Sequence, residues 1–211
     1  MDNTADIFGR ASSANVSDAL RSCGMSFGSM DGGIRPVGAG FRVSGRAFTV
    51  RCYPGATWAL ENALELAAVG DVLVVDGAGV SNVILMGGLM SLRMQKRGIA
   101  GVVVDGAVRD VDDIVRLGFS VFARHICPRA GTFAEIGEWQ TTVVCGRIPV
   151  SPGDWVVGDV SGVAVVPSGR LESVAAAAET LLAKEAHLED SLRRGGSLLE
   201  AGAAYKRTIA S

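Results

Sequence analysis

Few of the features that assign a protein at sight are present in this sequence. Its longest apolar stretch, Val83 to Leu92, is interrupted by Gly87 and Gly88. That is far short of the ~20 residues a membrane-spanning helix requires, so no membrane span is expected. Only two histidines and four cysteines (Cys23, Cys52, Cys127, Cys145) occur, and no pair is spaced as CxxC. Such spacing gives no basis for a zinc ribbon or a disulfide framework. The charges nearly cancel, 20 Lys and Arg against 22 Asp and Glu. A nucleic-acid footprint would need a clustered basic excess, so no nucleic-acid partner is expected. The opening MDNTADIFGR has no basic segment followed by an apolar one, so no secretory signal is expected either. The thiols are therefore read as reduced and the protein as cytoplasmic.

Nucleotide and hydrolase signatures are missing as well: there is no GxxxxGK[ST], no HExxH and no GxSxG. Gly77-Ala78-Gly79 begins like a dinucleotide fingerprint, but Asn82 stands where the third glycine belongs, and a turn is the better reading. What the chain does have is apolar residues, 48%, and glycine, 28 of 211. With a net charge of only -2, a chain of this length buries a core of its own. No Pro- or Ser-rich linker divides it. A single domain over residues 1–211 is expected, with a helical tail from about Leu171.

Asn15 to Cys23 reads as a helix capped by Ser12 or Ser13 and stopped by Gly24. Ala47 to Tyr53 reads as a strand, and Ala56 to Ala68 has the spacing of a helix with an apolar face. The centre is clearest. VLVVD (Val72–Asp76) and VVVD (Val102–Asp105) are β-branched runs without alternation, each ending in Asp-Gly-Ala. Leu85 to Gly98 between them reads as a helix that begins at a Gly-Gly pair and ends with Lys96, Arg97 and Gly98. This is a βαβ unit in a parallel sheet covered on both faces. A second crossover follows, a helix over Asp110 to Leu117 and a strand over Ser120 to Ala123. Short β segments come next, at Thr141–Arg147, Trp155–Val157 and Val163–Val166, before a tail helix from Leu171 to Arg194. The pattern predicts layered sheets with helices outside, in the α/β class bordering on α+β.

Two places could carry chemistry. The strand at Val102 delivers Arg109 and Asp110 together, where ligands of parallel α/β sheets collect beyond the strand ends. Arginine offers a planar fork to a carboxylate or enolate, and aspartate a hard oxygen to Mg²⁺. Asp110 could equally be a helix cap, with Asp113 completing a box-like pattern, and on the residues alone both readings stand. The second place is Gly87-Gly88-Leu89-Met90, where free amides opening a helix favour an anion; close helix packing would also explain the glycines. His125 and Cys127, without further spaced ligands, read as structural. His187 on the charged tail reads as solvated.

These residues resemble a known family. RGIAGVVVDGAVRDVDDI (Arg97 to Ile114), VGDVLVVDG (Val69 to Gly77), VSPGDWVVGDVSGVAVVP (Val150 to Pro167) and ASSANVSDAL (Ala11 to Leu20) look like the RraA-like family. That family includes the class II pyruvate aldolases cleaving 4-hydroxy-4-methyl-2-oxoglutarate and 4-carboxy-4-hydroxy-2-oxoadipate. The resemblance implies a layered β/β/α sandwich, assembled as a homotrimer or homohexamer with sites between subunits. It implies Mg²⁺ or Mn²⁺ held by Asp110, with Glu185 of a neighbouring subunit near the metal. Arg109 would stabilise the enolate, and the amides of Gly87 to Met90 would hold the pyruvyl carboxylate. Family aldolases carry an acidic residue twenty-one positions before the arginine, organising water for proton transfer; here that position is Gly88. Asp76 and Asp105 end neighbouring strands and could substitute for it, though each is equally explained as a turn-former in Asp-Gly.

The expected function is a metal-dependent carbon–carbon lyase acting on a small 2-oxo acid through a pyruvate enolate. Oxaloacetate decarboxylation is the natural side reaction. Two alternatives follow from the same resemblance. One is a non-catalytic regulator of a ribonuclease or a protein-binding scaffold; the other is metal-dependent dehydration or isomerisation of a sugar acid.

Overall fold

A computed structural model describes residues 2–202. The chain begins with helices α1 (Asp2–Arg10) and α2 (Ser13–Ser22), then strands β1 (Arg35–Pro36) and β2 (Val43–Arg51). The central crossovers are α3 (Trp58–Leu66), β3 (Val72–Met86), α4 (Gly88–Lys96), β4 (Gly101–Val108), α5 (Val111–Leu117) and β5 (Val121–Ile126). Short strands follow, β6 (Glu138–Trp139), β7 (Val143–Cys145), β8 (Ile148–Val150), β9 (Trp155–Asp159) and β10 (Gly162–Val166), before the long helix α6 (Leu171–Arg193).

Strand β2 belongs to two sheets. Its first half, Val43–Arg46, pairs antiparallel with β9, and its second half, Ala47–Arg51, pairs parallel with β3. The full order is β1-β5-β4-β3-β2-β9-β10, with β6 paired to the end of β2 and β7–β8 as a separate hairpin. Strands β2 to β5 are parallel to one another, as the unbroken Val runs predict.

Three cores separate the layers. On one face of the parallel strands, Leu73, Val75, Val102 and Val104 pack against Leu60 of α3, Met94 of α4 and Ile114 of α5. The other face, with Val72, Val74 and Val103, meets the β7–β8 hairpin and the inner face of β9–β10. The outer face of β9–β10 (Val157, Ala164, Val166) is covered by Phe8 of α1, Val16 and Leu20 of α2 and Val174 of α6. The fold is thus the expected layered α/β sandwich, with a helical layer added on the second sheet. No helix among the described residues is long and apolar enough to cross a membrane.

Some boundaries differ from expectation, and the reasons are tertiary. Both strands run past their Asp-Gly-Ala segments, β3 to Met86 and β4 to Val108. Gly77 and Gly106 lie together there: a Cβ on Gly77 would stand 2.8 Å from the Asp105 carbonyl. Ala78 (φ 55°) and Gly79 (φ 67°) do turn left-handed, as the turn reading requires, but the chain rejoins β4 at Val80 and follows it to Met86 through two further register shifts. Helix α4 therefore starts at Gly88, not at Leu85. Helix α1 has no counterpart in the sequence reading, since only Ile7 and Phe8 of its residues are buried apolar side chains.

Asp159 ties the helical layer to the second sheet. Its carboxylate accepts from Ser13 N (2.7 Å), Ser13 Oγ (2.7 Å) and Ser161 N (2.8 Å). Burial opposes its charge, but these hydrogen bonds and Arg42 outweigh that and hold its pKa below the ordinary value. A depressed carboxylate pKa stabilises the fold above the unfolded-state value and loses that contribution as pH falls through the folded one. Asp159→Ala is expected to cost about 1–3 kcal/mol in thermal or urea melts at pH 7, and less below pH 4. A pH-independent difference between variant and wild type would refute the assignment.

Candidate active site

Strands β3 and β4 end side by side. Met86 and Val108 are register partners, and Arg109 N donates to the Met86 carbonyl (3.2 Å). Both chains then turn into helices, so the starts of α4 and α5 adjoin, with Gly87 and Gly88 on one side and Arg109 and Asp110 on the other. Asp110 takes the left-handed conformation (φ 58°, ψ 41°). For a residue other than glycine this stores of order 1–3 kcal/mol, and aspartate tolerates it better than most.

Asp110 stands at the cap position of α5, yet its side chain makes no cap hydrogen bond there. The cap reading is corrected by where the carboxylate goes instead. Its Oδ2 accepts from Gly88 N (3.1 Å), the first amide of the neighbouring helix α4. Asp113 does not complete a box either, because its Oδ1 accepts from Arg116 Nη1 (2.8 Å). A side chain on Gly87 would place its Cβ 2.5 Å from Asp110 Oδ2, so glycine there is what lets the carboxylate reach α4.

Arg109 is the unusual cation. Its Nε lies 3.3 Å from Asp110 Oδ2 without hydrogen-bond alignment and is buried with no partner. Among the described residues its guanidinium donates no hydrogen bond, and Asp110 Oδ1 accepts none. A planar fork and a carboxylate oxygen are thus both left to a ligand. They line a cavity of about 280 Å³ with Ile84, Met86, Gly87, Leu89 and Met90. The volume falls just under the usual ~300–1,000 Å³ of drug-sized pockets and suits a small molecule. Gly87 provides no side-chain cap, so α4 presents Leu89 and Met90 amides beside the cavity.

The remaining wall was not legible beforehand. Thr57 and Glu61 of the α3 start, with Ala130 and Gly131, line the same cavity. The 130s loop is held by Thr132 N to Gly55 O (2.6 Å) and Ile84 N to Arg129 O (3.1 Å). A Cβ on Gly131 would meet the Gly55 and Ile84 carbonyls at 2.5 and 2.8 Å, so only glycine permits this crossing. No sequence spacing links these positions to Arg109.

Asp76 and Asp105 do not serve this cavity. They line a separate cleft with Arg124 and Arg147. Buried Asp105 accepts from Arg124 Nε and Gly146 N (2.7 Å), while Arg124 Nη1 also donates to Asp31 (2.8 Å). The Asp105 bond, then that to Asp31, raises the Arg124 pKa further. Glu185, on α6, accepts from Asn15 Nδ2 (2.7 Å) and does not line the Arg109 cavity of its own chain. All four cysteines are free. Burial pushes the Cys52 thiol up to about 12, which makes it inert as a nucleophile at neutral pH.

No group of three His, Cys, Asp or Glu that could hold a metal occurs among the described residues. Among the described residues, then, no three such side chains stand together to cage Zn²⁺. Mg²⁺ and Mn²⁺ do fit the donor set, because Mg²⁺-type sites keep most of their water and take one or two carboxylates.

A layered α/β protein with an arginine–aspartate pair over two helix starts is the class that fold and site define. The chain belongs to the RraA-like family: residues 13–165 match the family model described as Aldolase/RraA. A Halalkalibacterium halodurans relative named "Putative 4-hydroxy-4-methyl-2-oxoglutarate aldolase" is 37% identical over 67% of each chain. An uncharacterized protein from Pseudomonas syringae pv. tomato superposes with a TM-score of 0.85 at 27% identity, covering 95% of this chain and 97% of that one. The RNA-processing inhibitor RraA of Thermus thermophilis superposes with a TM-score of 0.68 at 27% identity, covering 75% and 93%.

The two arginines should separate in stability. Arg124→Ala leaves buried Asp105 unpaired and is expected to cost about 3–5 kcal/mol. Arg109→Ala removes no hydrogen bond and is expected to stay within about 0.5 kcal/mol of wild type. Urea melts of both variants decide it; equal losses would mean Arg109 is structural.

Proposed function

We propose that the protein is a divalent-metal-dependent carbon–carbon lyase acting on a small 2-oxo acid through a pyruvate enolate. One observation carries this reading: Arg109 and Asp110 leave uncommitted donor and acceptor atoms at a small cavity beside an open helix start. Relatives named as aldolases support it. Asp110 would hold Mg²⁺ or Mn²⁺, with Glu185 of a neighbouring subunit beside it in a homotrimer or homohexamer. Leu89 is 85% exposed at the cavity wall, as a residue covered by another subunit would be.

The cation, when bound, supplies Lewis-acid polarisation of the 2-oxo group. The substrate carboxylate would sit against the amides of Leu89 and Met90, where the helix start favours an anion. Arg109 would lie at the 2-oxo oxygen, where charge develops as the bond beyond the carbonyl breaks. Donors preorganised toward such charge typically supply ~3–4 kcal/mol each. A second reading, a protein-binding ribonuclease regulator, draws support from the likeness to the Thermus inhibitor.

With Mg²⁺, the protein is expected to release pyruvate from oxaloacetate in a lactate-dehydrogenase-coupled assay. Chelation should stop release and Mg²⁺ restore it. Asp110→Ala should abolish release, and Arg109→Ala should lower it by ~10²–10³-fold. Absence of pyruvate from oxaloacetate and from 4-hydroxy-2-oxo acids would favour the regulator.

Gly88 gives a separate test of the cation. A Cβ there would stand 3.3 Å from Asp113 Cβ and 3.4 Å from Asp110 Cβ. Gly88→Asp adds a third carboxylate, costing about 1 kcal/mol in repulsion without metal. The variant should melt below wild type in EDTA and gain more than wild type from added Mg²⁺. Equal Mg²⁺-induced shifts would mean no cation sits at this step.

A further inference from the structure

Arg109, Asp110 and the α4 amides account for charge but not for the proton. Cleavage of a 4-hydroxy-2-oxo acid must remove one from the hydroxyl and return one to carbon. Besides Asp110, Glu61 is the one carboxylate that lines the cavity among the described residues. It arrives from α3, whereas Arg109, Asp110 and Gly87 arrive from the ends of β3 and β4. A cavity of about 280 Å³ leaves a single small acid within reach of both walls.

Glu61 is held in place by one oxygen. Thr57 Oγ1 donates to Glu61 Oε1 (2.6 Å), and Thr57 is itself fixed by the hydrogen bond its backbone N–H donates to the Thr132 carbonyl (3.0 Å). Oε2 takes part in no hydrogen bond or ion pair among the described residues. The other nearby acids are spoken for. Asp113 is 61% exposed, paired with Arg116 and outside the cavity wall. Asp76 and Asp105 line the cleft with Arg124.

We propose that Glu61 is the acid–base residue of this site. The inference rests on the lyase reading and assigns its proton. The Glu61 carboxylate takes the proton of the substrate's C4 hydroxyl as the C3–C4 bond breaks. The electron pair of that bond passes into the enolate, and C4 leaves as a carbonyl. Protonated Glu61 then gives the same proton to C3, forming the methyl group of pyruvate and restoring the carboxylate. No other reactant is consumed.

Pyruvate itself probes the last step in reverse. In D₂O with Mg²⁺, wild-type protein is expected to exchange the methyl protons of pyruvate, followed as loss of the methyl signal by proton NMR. Glu61→Gln should slow exchange by ~10²–10⁴-fold, the usual contribution of a positioned acid or base. Oxalate, an enolate mimic, should still bind Glu61→Gln within about threefold by calorimetry, which also shows that the variant folds; Asp110→Ala should lose oxalate binding. Formate should restore part of the exchange to Glu61→Ala. Exchange by Glu61→Gln at the wild-type rate would overturn the assignment while leaving the lyase reading standing. Wild-type protein that neither exchanges pyruvate nor cleaves any 2-oxo acid would overturn both.

Discussion

The amide of Gly88 donates to a carboxylate that belongs to the next βα unit, and that one bond fixes how two crossovers meet. Asp110 satisfies an amide that α4 leaves without an intrahelical acceptor, at the cost of leaving its own helix uncapped. The arrangement needs a left-handed aspartate, an extended Gly87 with no side chain, and strand ends level at Met86 and Val108. Each condition depends on the others. A side chain at Gly87 would expel the carboxylate, and a right-handed Asp110 would turn it away from α4. The cavity is what remains beside this junction.

Charge is used in two different ways on neighbouring strands. Arg124 is wedged among Asp31, Asp105 and the hairpin turn at Gly146, with its donors engaged and its side chain 16% exposed. Such a network joins β4, β5 and β7–β8, and removing one member strands the rest in a poorly solvated place. Arg109 is 40% exposed and, beyond its ion pair with Asp110, donates no side-chain hydrogen bond among the described residues. An arginine at a strand end with idle donors is a poor structural device and a good receptor for an anion. The contrast between the two says more about function than the volume of either cleft.

The sequence made the parallel centre legible because VLVVD and VVVD are buried on both faces, and only a doubly covered strand tolerates such a run. It made the Arg109–Asp110 pair legible because a strand followed by a helix places its junction beyond the sheet edge. It did not reveal that both strands continue past their Asp-Gly-Ala segments. That continuation depends on Gly77 lying against the Asp105 backbone, a contact between residues twenty-eight apart. Helix α1 was equally hidden, since its burial depends on Phe8 meeting Trp155 (ring centroids 5.9 Å apart). Asp76 and Asp105 looked like spare catalytic acids because sequence shows strand ends but not which face a carboxylate takes. Alternation sends both to the side of Val74 and Val103, away from the helices that bear the cavity.

Glu61 and Gly131 belong to the same limitation, and they show what kind of site this is. Arg109, Asp110 and the Gly87-Gly88 step lie on two adjacent crossovers, close in sequence to the strands that carry them. Glu61 comes from the preceding crossover, and the loop at Gly131 threads between Gly55 and Ile84 to close the wall. Three βα connections and one loop therefore meet at a single point. Only the middle pair leaves a mark in the sequence, as Gly-Gly and Arg-Asp. A family pattern built on that pair will register the change at Gly88 as a loss. The structure gives the cavity another carboxylate from α3, at a position that no spacing rule connects to Arg109. On the lyase reading an acid is needed where substrate would bind, and the fold sets no requirement that it come from the same segment as Arg109 and Asp110.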